Sequence, residues 1–516
     1  MPEPPGKTGE RSMEIEKPAD VDGSVQAFPM HIGGAACESD SGQWIESKNP
    51  YTGQAWARIP RGTAADAARA VKAARRAFEA GPWPSLTASD RGLLMHRLAD
   101  LIAENAERLA AMEVRDNGKL MTEMLAQMRY LPRWFQYYGG LCDKVEGMVT
   151  PIDKPGMFHY VQYQPVGVVV AITPWNSPLL LAAWKLAPAL AAGNTIVVKP
   201  SEHASTSMLA LARLFAEAGF PPGVVNVVTG YGPEIGDVLV THPDVARVAF
   251  TGGDPAGRTI YEAAARGLKP VSLELGGKSP NILFEDADID EAVKGIVSGI
   301  FAASGQSCMA GSRLLVHEAI HDEVVDRLIS FMADVTLGDP ASPDTQMGPI
   351  ATEAQLEKVL YYIDVAKAGG AHCALGGRRA QGGECGSGWF VEPTIFTGVS
   401  NEMRIAQEEI FGPVLVVIKF RDDDEAVALA NGTVYGLAAG VWTRSLERAM
   451  TIPKRLNAGT VWVNAYRVVS YLAPFGGMKA SGIGRENGAD AIYDYLEPKS
   501  VFINTGARTA NPFSLR

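Results

Sequence analysis

Val166-Gly-Val-Val-Val-Ala-Ile172, Thr195-Ile-Val-Val-Lys199, Val224-Val-Asn-Val-Val228, Val245-Ala-Arg-Val-Ala-Phe250 and Pro270-Val-Ser-Leu-Glu-Leu275 are short apolar runs that recur roughly every 20–30 residues. Between them lie Pro178–Ala192, Ser205–Ala218, Glu234–Thr241 and Ala256–Arg266, each of helix-forming composition. Strands at this spacing, each followed by a helix, specify βαβ units and a parallel sheet. Ligands bind such sheets beyond the carboxyl ends of the strands. The residues closing each run, and the loops after them, are therefore where chemistry is sought.

Outward from this block, residues 63–80 and 89–114 have strong helix-forming composition and an apolar face, so the first 140 residues are expected to be mostly helical. A second alternating region spans about 278 to 480. Its strands include Arg313–Val316, Val414–Phe420, Ala439–Trp442 and Thr460–Val463, and its helices Asp322–Ala333 and Thr352–Ala368. It reads as a second α/β domain, with turns at 343–349 and a Gly-rich loop at 376–388. Leu496–Ile503 reads as a late strand that pattern alone does not place.

The chain has 516 residues, too many for a single core, and its hydrophobic content of 47% is ordinary for a folded protein. A formal net charge of −11 argues against a nucleic-acid partner, which needs clustered Lys and Arg. The five cysteines are scattered with no CxxC pair, which argues against a disulfide framework or structural zinc and for a reducing compartment. Residues 1–27 read as a poorly ordered tail, neither signal peptide nor transit sequence. No apolar run reaches spanning length: Leu179–Ala192 is too short and contains Lys185 and Pro188. No membrane association and a cytoplasmic location are expected.

Several of the strand-end segments carry candidate chemistry. Cys308, in Ser304-Gly-Gln-Ser-Cys-Met-Ala-Gly311, is a thiol among small residues that a substrate can approach. Glu274 interrupts the apolar run Val271-Ser-Leu-Glu-Leu. Covered on both faces, such a carboxylate is costly, and desolvation would raise its pKa toward that of a general base; on an alternating strand it would face solvent instead. Asn176, between two prolines in Ile172-Thr-Pro-Trp-Asn-Ser-Pro178, offers an amide donor of the kind that stabilises an oxyanion, or else serves a turn. Lys199 and Glu202 could hydrogen-bond a ribose; they also read as a solvated lysine and a helix-capping Ser201–Glu202 pair. Phe250-Thr-Gly-Gly-Asp-Pro-Ala-Gly257 and Gly230-Tyr-Gly-Pro-Glu-Ile-Gly236 could bring backbone close to a pyrophosphate, although neither is a GxGxxG fingerprint and each also reads as a plain turn. Asp254 opposes a strong phosphate grip. His317-Glu-Ala-Ile-His321 matches H-E-x-x-H, but His317 closes a strand and the helix starts near Asp322, so the imidazoles do not stack and no metal is expected.

Taken together, Pro174-Trp-Asn, Lys199-Pro-Ser-Glu202, Phe250-Thr-Gly, Leu273-Glu-Leu-Gly-Gly-Lys278, Gly305-Gln-Ser-Cys308, Glu409-Ile-Phe-Gly-Pro413, Gly459-Thr-Val-Trp-Val-Asn464 and Pro474-Phe-Gly-Gly-Met-Lys-Ala-Ser-Gly-Ile-Gly-Arg-Glu486 resemble the NAD(P)-dependent aldehyde dehydrogenase family, in that family's order, over about residues 30–505. The resemblance implies a Rossmann-like cofactor domain (28–144 and 166–276), a second α/β catalytic domain (277–480) and a small β oligomerisation arm (145–165 and 490–516), assembled as a homodimer or homotetramer. It implies Cys308 as nucleophile, Glu274 as general base, and Asn176 with the Cys308 backbone N–H as oxyanion hole. Ile172, Thr173, Pro174, Trp175, Lys199, Ser201, Glu202, Gly232, Phe250, Thr251, Gly252, Gly253, Leu275, Gln355, Glu409 and Phe411 would border the cofactor. The Glu202 carboxylate disfavours a 2′-phosphate, so NAD is expected over NADP. Ser177, Trp184, Ser307, Arg467 and Phe475 would border an aldehyde substrate.

The chain departs from the family pattern at three places. Gly253-Asp254 replaces the usual Ser-Thr, Ser307 precedes the cysteine where Cys, Ile or Thr is usual, and Ser177 stands where a bulky aromatic is common. Ser177 suggests a roomier or more polar tunnel, and Arg467 a partner for a substrate carboxylate, as in a semialdehyde. The rival readings are a cysteine-dependent ester hydrolase without redox chemistry and a non-catalytic binding protein of the same fold.

Overall fold

The computed structural model describes residues 25–506, with 508 and 513. The expected tail lies mostly outside the described residues, but its last two, Gln26–Ala27, form a strand parallel to Ala55–Pro60. The five runs quoted above become the parallel strands Val168–Thr173, Thr195–Pro200, Val225–Val227, Val245–Thr251 and Val271–Glu274. They form an eight-stranded sheet closed by the antiparallel edges Met30–Ile32, Ala35–Cys37 and Gly482–Ile483. Val168–Thr173 is buried along its whole length, as helices on both faces require.

The register positions the site. Ile172 pairs with both Lys199 and Phe250, and Thr251 pairs with Glu274. The carboxyl ends of four neighbouring strands thus stop at one level, with Thr173, Pro200, Thr251 and Glu274 leading into their loops. A second sheet of seven strands is parallel except at its His372–Leu375 edge. Pro280–Leu283, next to the central strand Arg313–His317, begins six residues after Glu274 and so carries the chain directly from one sheet to the other.

Two expectations need correction. The first 140 residues are not mostly helical from the start: short strands occupy the stretch from Gln26–Ala27 to Ala55–Pro60, and helices begin at Ala64–Glu79. Its capping box joins Thr63 and Asp66. The 89–114 helix is two, Ala88–Glu104 and Ala106–Asn117, divided at Asn105. The late strand is Leu496–Asn504. It pairs along its length with Met157–Pro165, which also pairs with Met148–Val149, forming a three-stranded antiparallel arm.

Asn194 ties the arm to the first sheet. Its buried side chain accepts from Gly167 N–H at 2.9 Å and donates to the Ala189 and Tyr495 carbonyls at 3.1 and 2.9 Å. Asn194→Ala would leave the Gly167 N–H without its acceptor and take one of two bonds from each of the Ala189 and Tyr495 carbonyls; it is expected to lower stability by about 1–3 kcal/mol in chemical denaturation, and an unchanged midpoint would refute that role.

Candidate active site

Cys308 follows a short turn, Ala302–Gly305, whose backbone is unusual: Ala303 and Ser304 have φ of 53° and 52°, and Gly305 has φ of 70°. Left-handed backbone costs a non-glycine residue, so it persists only where surroundings hold it. Here Glu123 Oε1 accepts the Ala303 N–H at 2.9 Å and Ser304 Oγ donates to the Gly348 carbonyl at 2.7 Å. Gln306 donates to Pro349 O and accepts from Ala351 N–H. At Gly305 a Cβ would collide with the Gly412 carbonyl, so only glycine fits. The Gln306 carbonyl in turn accepts the Asn176 side-chain amide at 3.1 Å. Asn176 is thereby oriented beside the cysteine loop by a strand-end loop from the other sheet.

Cys308 opens on a cavity of about 160 Å³. Of the residues singled out in the sequence, Pro174, Trp175, Asn176, Thr251, Gly252, Gly253, Glu274, Leu275, Gln355, Glu409 and Phe411 line it with Cys308. Leu181, Gly276 and Lys358 line it too and had no sequence signal beyond proximity. Trp175 and Phe411 meet edge to face, with centroids 5.3 Å apart. Glu409 accepts the Gly277 N–H at 2.8 Å, and its carboxylate lies where a Cβ on Gly276 would stand. Gln355 donates to the carbonyls of Ile410 and Phe411, holding the Phe411 loop. Gly252 packs on the Phe250 ring, leaving 2.5 Å for any Cβ, and Gly253 caps the helix Asp254–Ala265. Gly232 opens the helix Gly232–Thr241 with free space beside it.

The open alternatives resolve on burial. Glu274 is 4% exposed and does not face solvent. Lys199 is 3% exposed, donates to Pro200 O at 3.1 Å and lies 3.5 Å from Glu202, while the next helix begins only at Thr206. A solvated lysine with a capping Ser201–Glu202 pair is therefore excluded; Ser201 Oγ accepts weakly from His203 N–H instead. His317 ends a strand and His321 opens a helix, and among the described residues no cluster of metal-binding side chains exists. Trp184 and Phe475 are buried against one another, centroids 5.2 Å apart. Arg467 has φ of 63° and donates to the Ser298 carbonyl at 3.1 Å. Ser307 is half-buried beside Cys308.

Electrostatically the cavity is dominated by the buried carboxylates of Glu274 and Glu409. Neither oxygen of Glu274 has a hydrogen-bond partner. Burial, and next the Glu486 carboxylate, push Glu274 well above the usual carboxylate range; Lys185 and Arg485 pull the other way. Burial also raises Glu409. Burial first, then the Glu274 and Glu409 charges, push the Cys308 thiol up to about 12. Sequence reasoning missed the ion pair that stands behind Glu274: Lys185 Nζ is 2.6 Å from Glu486 Oε1 and 2.6 Å from Thr251 Oγ1, both charges fully buried. A lysine that merely interrupted an apolar helix was the only visible signal.

Such a set, with a thiol, a buried unpartnered carboxylate, an amide donor and a cleft at aligned strand ends, defines an α/β enzyme of covalent, cofactor-assisted chemistry. The family model for the aldehyde dehydrogenase family matches residues 37–501. A (Z)-2-((N-methylformamido)methylene)-5-hydroxybutyrolactone dehydrogenase from Acinetobacter baylyi is 46% identical over 95% of this chain and 100% of its own length. Aldehyde dehydrogenase 1A1 from Gallus gallus is 46% identical over 90% and 91%. Among solved structures, an NAD+ complex of an aldehyde dehydrogenase from Bacillus cereus superposes with a TM-score of 0.91 (45% identity; 93% and 97% covered), and betaine aldehyde dehydrogenase from Staphylococcus aureus with 0.93 (42%; 95% and 97%). The chain belongs to the aldehyde dehydrogenase family.

A thiol held near 12 ionises little at neutral pH. In the cofactor-free protein, alkylation of Cys308 by iodoacetamide should quicken about tenfold per pH unit from 7 to 10; a plateau by pH 8 would contradict the carboxylate pressure on the thiol.

Proposed function

We propose that the chain oxidises an aldehyde to a carboxylic acid with NAD, using Cys308 as nucleophile and Glu274 as base. The observation that carries this reading is the shared cavity: the thiol, the unpartnered carboxylate, the Asn176 amide and Glu409 all line one space. The residues fit the dinucleotide. Gly252 and Gly276 leave room where a side chain would intrude, Glu409 presents a carboxylate to a nicotinamide ribose, and Lys199 with Glu202 suits an adenosine ribose. When bound there, the nicotinamide accepts the hydride.

In the chain's own terms, the Cys308 thiol loses its proton to solvent, and the sulfur adds to the aldehyde carbon. Asn176 Nδ2 and the Cys308 backbone N–H stabilise the resulting oxyanion. Loss of hydride from that carbon leaves a thioester on Cys308. Glu274 then takes a proton from a water that attacks the thioester carbonyl; the C–S bond breaks and the carboxylic acid leaves. The Lys185–Glu486 pair behind Glu274 gives the proton a polar neighbour inside the protein.

The domain division proposed is 28–144 and 166–276 for the cofactor, 277–480 for catalysis, and 145–165 with 490–516 as the arm. The arm's exposed Phe502, Ile503 and Met148 favour a homodimer or homotetramer. The scattered free cysteines favour a cytoplasmic location; no helix among the described residues is long and apolar enough to cross a membrane.

Glu274→Gln should release about one NADH per active site in a rapid burst and then stall, because hydrolysis loses its base while hydride transfer does not. Steady turnover at the wild-type rate would reject the assignment. Glu202→Ser should raise kcat/KM for NADP relative to NAD by about tenfold or more; an unchanged ratio would remove Glu202 from the ribose site.

A further inference from the structure

Lys119 has no part in the chemistry above, yet it is buried to 5% exposure beside the substrate-side loop. It lies just after the helix Ala106–Asn117, and its ammonium donates to Ser177 Oγ at 2.7 Å. Ser177 is the residue next to Asn176 and stands where a bulky aromatic is common in the family. Among the described residues Ser177 Oγ is the one acceptor Lys119 has, although an ammonium carries three donors. Neither nearby carboxylate bonds it: Glu113 Oε1 accepts from Leu179 N–H and Ser207 Oγ and Glu123 Oε1 from Ala303 N–H, while the second oxygen of each is buried without a hydrogen-bond partner. A buried ammonium with unspent donors is expensive unless a ligand completes it.

Its surroundings point toward the reacting centre. The charged groups that act on Lys119 are Glu123 and Glu113 from the two adjoining helices, Arg467 from the substrate-side loop, and Cys308 itself. Arg467 commits one nitrogen to Ser298 O, which leaves the rest of its guanidinium fork for another partner. Lys119 thus stands within electrostatic reach of both Arg467 and Cys308, its side chain outside the lining of the cofactor cavity, and the small Ser177 is the side chain that meets its ammonium.

We propose that Lys119, aimed by Ser177 and assisted by Arg467, binds the carboxylate of an aldehyde substrate, making this enzyme selective for anionic aldehydes such as semialdehydes. The inference rests on the reading of Cys308 as nucleophile. Burial brings the Lys119 ammonium down to about 8, opposed by Glu123 and aided by Arg467. The ammonium is charged below that pH and neutral above it, so the carboxylate preference should fade as pH rises through about 8.

The test compares kcat/KM for succinic semialdehyde and butanal, which share a four-carbon chain and differ in the carboxylate. The wild-type ratio should favour the semialdehyde and fall between pH 7 and 9.5. Lys119→Met should lower the ratio about tenfold or more, through KM, because a charge-assisted hydrogen bond is lost. Lys119→Arg should keep a preference that no longer falls with pH. If Lys119→Met does not fold, Ser177→Ala, which removes the aiming acceptor, should lower the ratio in the same direction. A ratio that Lys119→Met, or in its place Ser177→Ala, leaves unchanged overturns the proposal, as does a wild-type preference for butanal. Butanal oxidised without preference for the semialdehyde would sink this inference alone; no NADH from either aldehyde or from a wider panel would sink the Cys308 reading beneath it.

Discussion

Lys185 and Glu486 form a fully buried ion pair between residues 301 apart in sequence, braced by Thr251, against the strand end that carries Glu274. Glu274 itself is buried and makes no hydrogen bond within the protein. Three charged groups so placed are costly to bury, and removing Lys185 would leave two carboxylates uncompensated. The arrangement holds because the strand register puts Thr251 and Glu274 side by side and because Gly482–Ile483 returns to pair with the Glu274 strand, bringing Glu486 with it. The raised pKa of Glu274 is thus a consequence of sheet geometry and desolvation together.

The nucleophile obeys a second constraint of the same kind. Three consecutive residues in left-handed backbone present Cys308, and they are held from outside by Glu123, Gly348 and the close approach of Gly412. The strand-end loop of one sheet reaches this turn through Asn176 and the Gln306 carbonyl. The thiol and its base therefore come from segments that flank the crossing strand Pro280–Leu283, and their separation is set by packing between the two sheets.

The central parallel sheet was legible because its strands are buried on both faces and read as unbroken apolar runs. The thiol, the carboxylate and the amide were legible because each interrupts or ends such a run. The short strands before Ala64 were not, since half-exposed runs of two to six residues carry little periodicity. Pattern alone did not place Leu496–Asn504 either, because strand pairing across more than three hundred residues leaves no local mark; only the family resemblance put 490–516 with 145–165. Lys185, Glu486 and Lys119 were invisible as a group for the same reason: a buried charge declares itself only when its partners are seen. The departures at Ser177 and Gly253-Asp254 leave the scaffold intact.

The most direct test of covalent chemistry at Cys308 is acid quench during turnover with NAD and an aldehyde, followed by mass spectrometry of the peptide containing Cys308. The account predicts an acyl group, two hydrogens lighter than the simple aldehyde adduct, on Cys308 and only when NAD is present. An unmodified Cys308 under conditions of continuing NADH formation, or an acyl group carried on another residue, would contradict it.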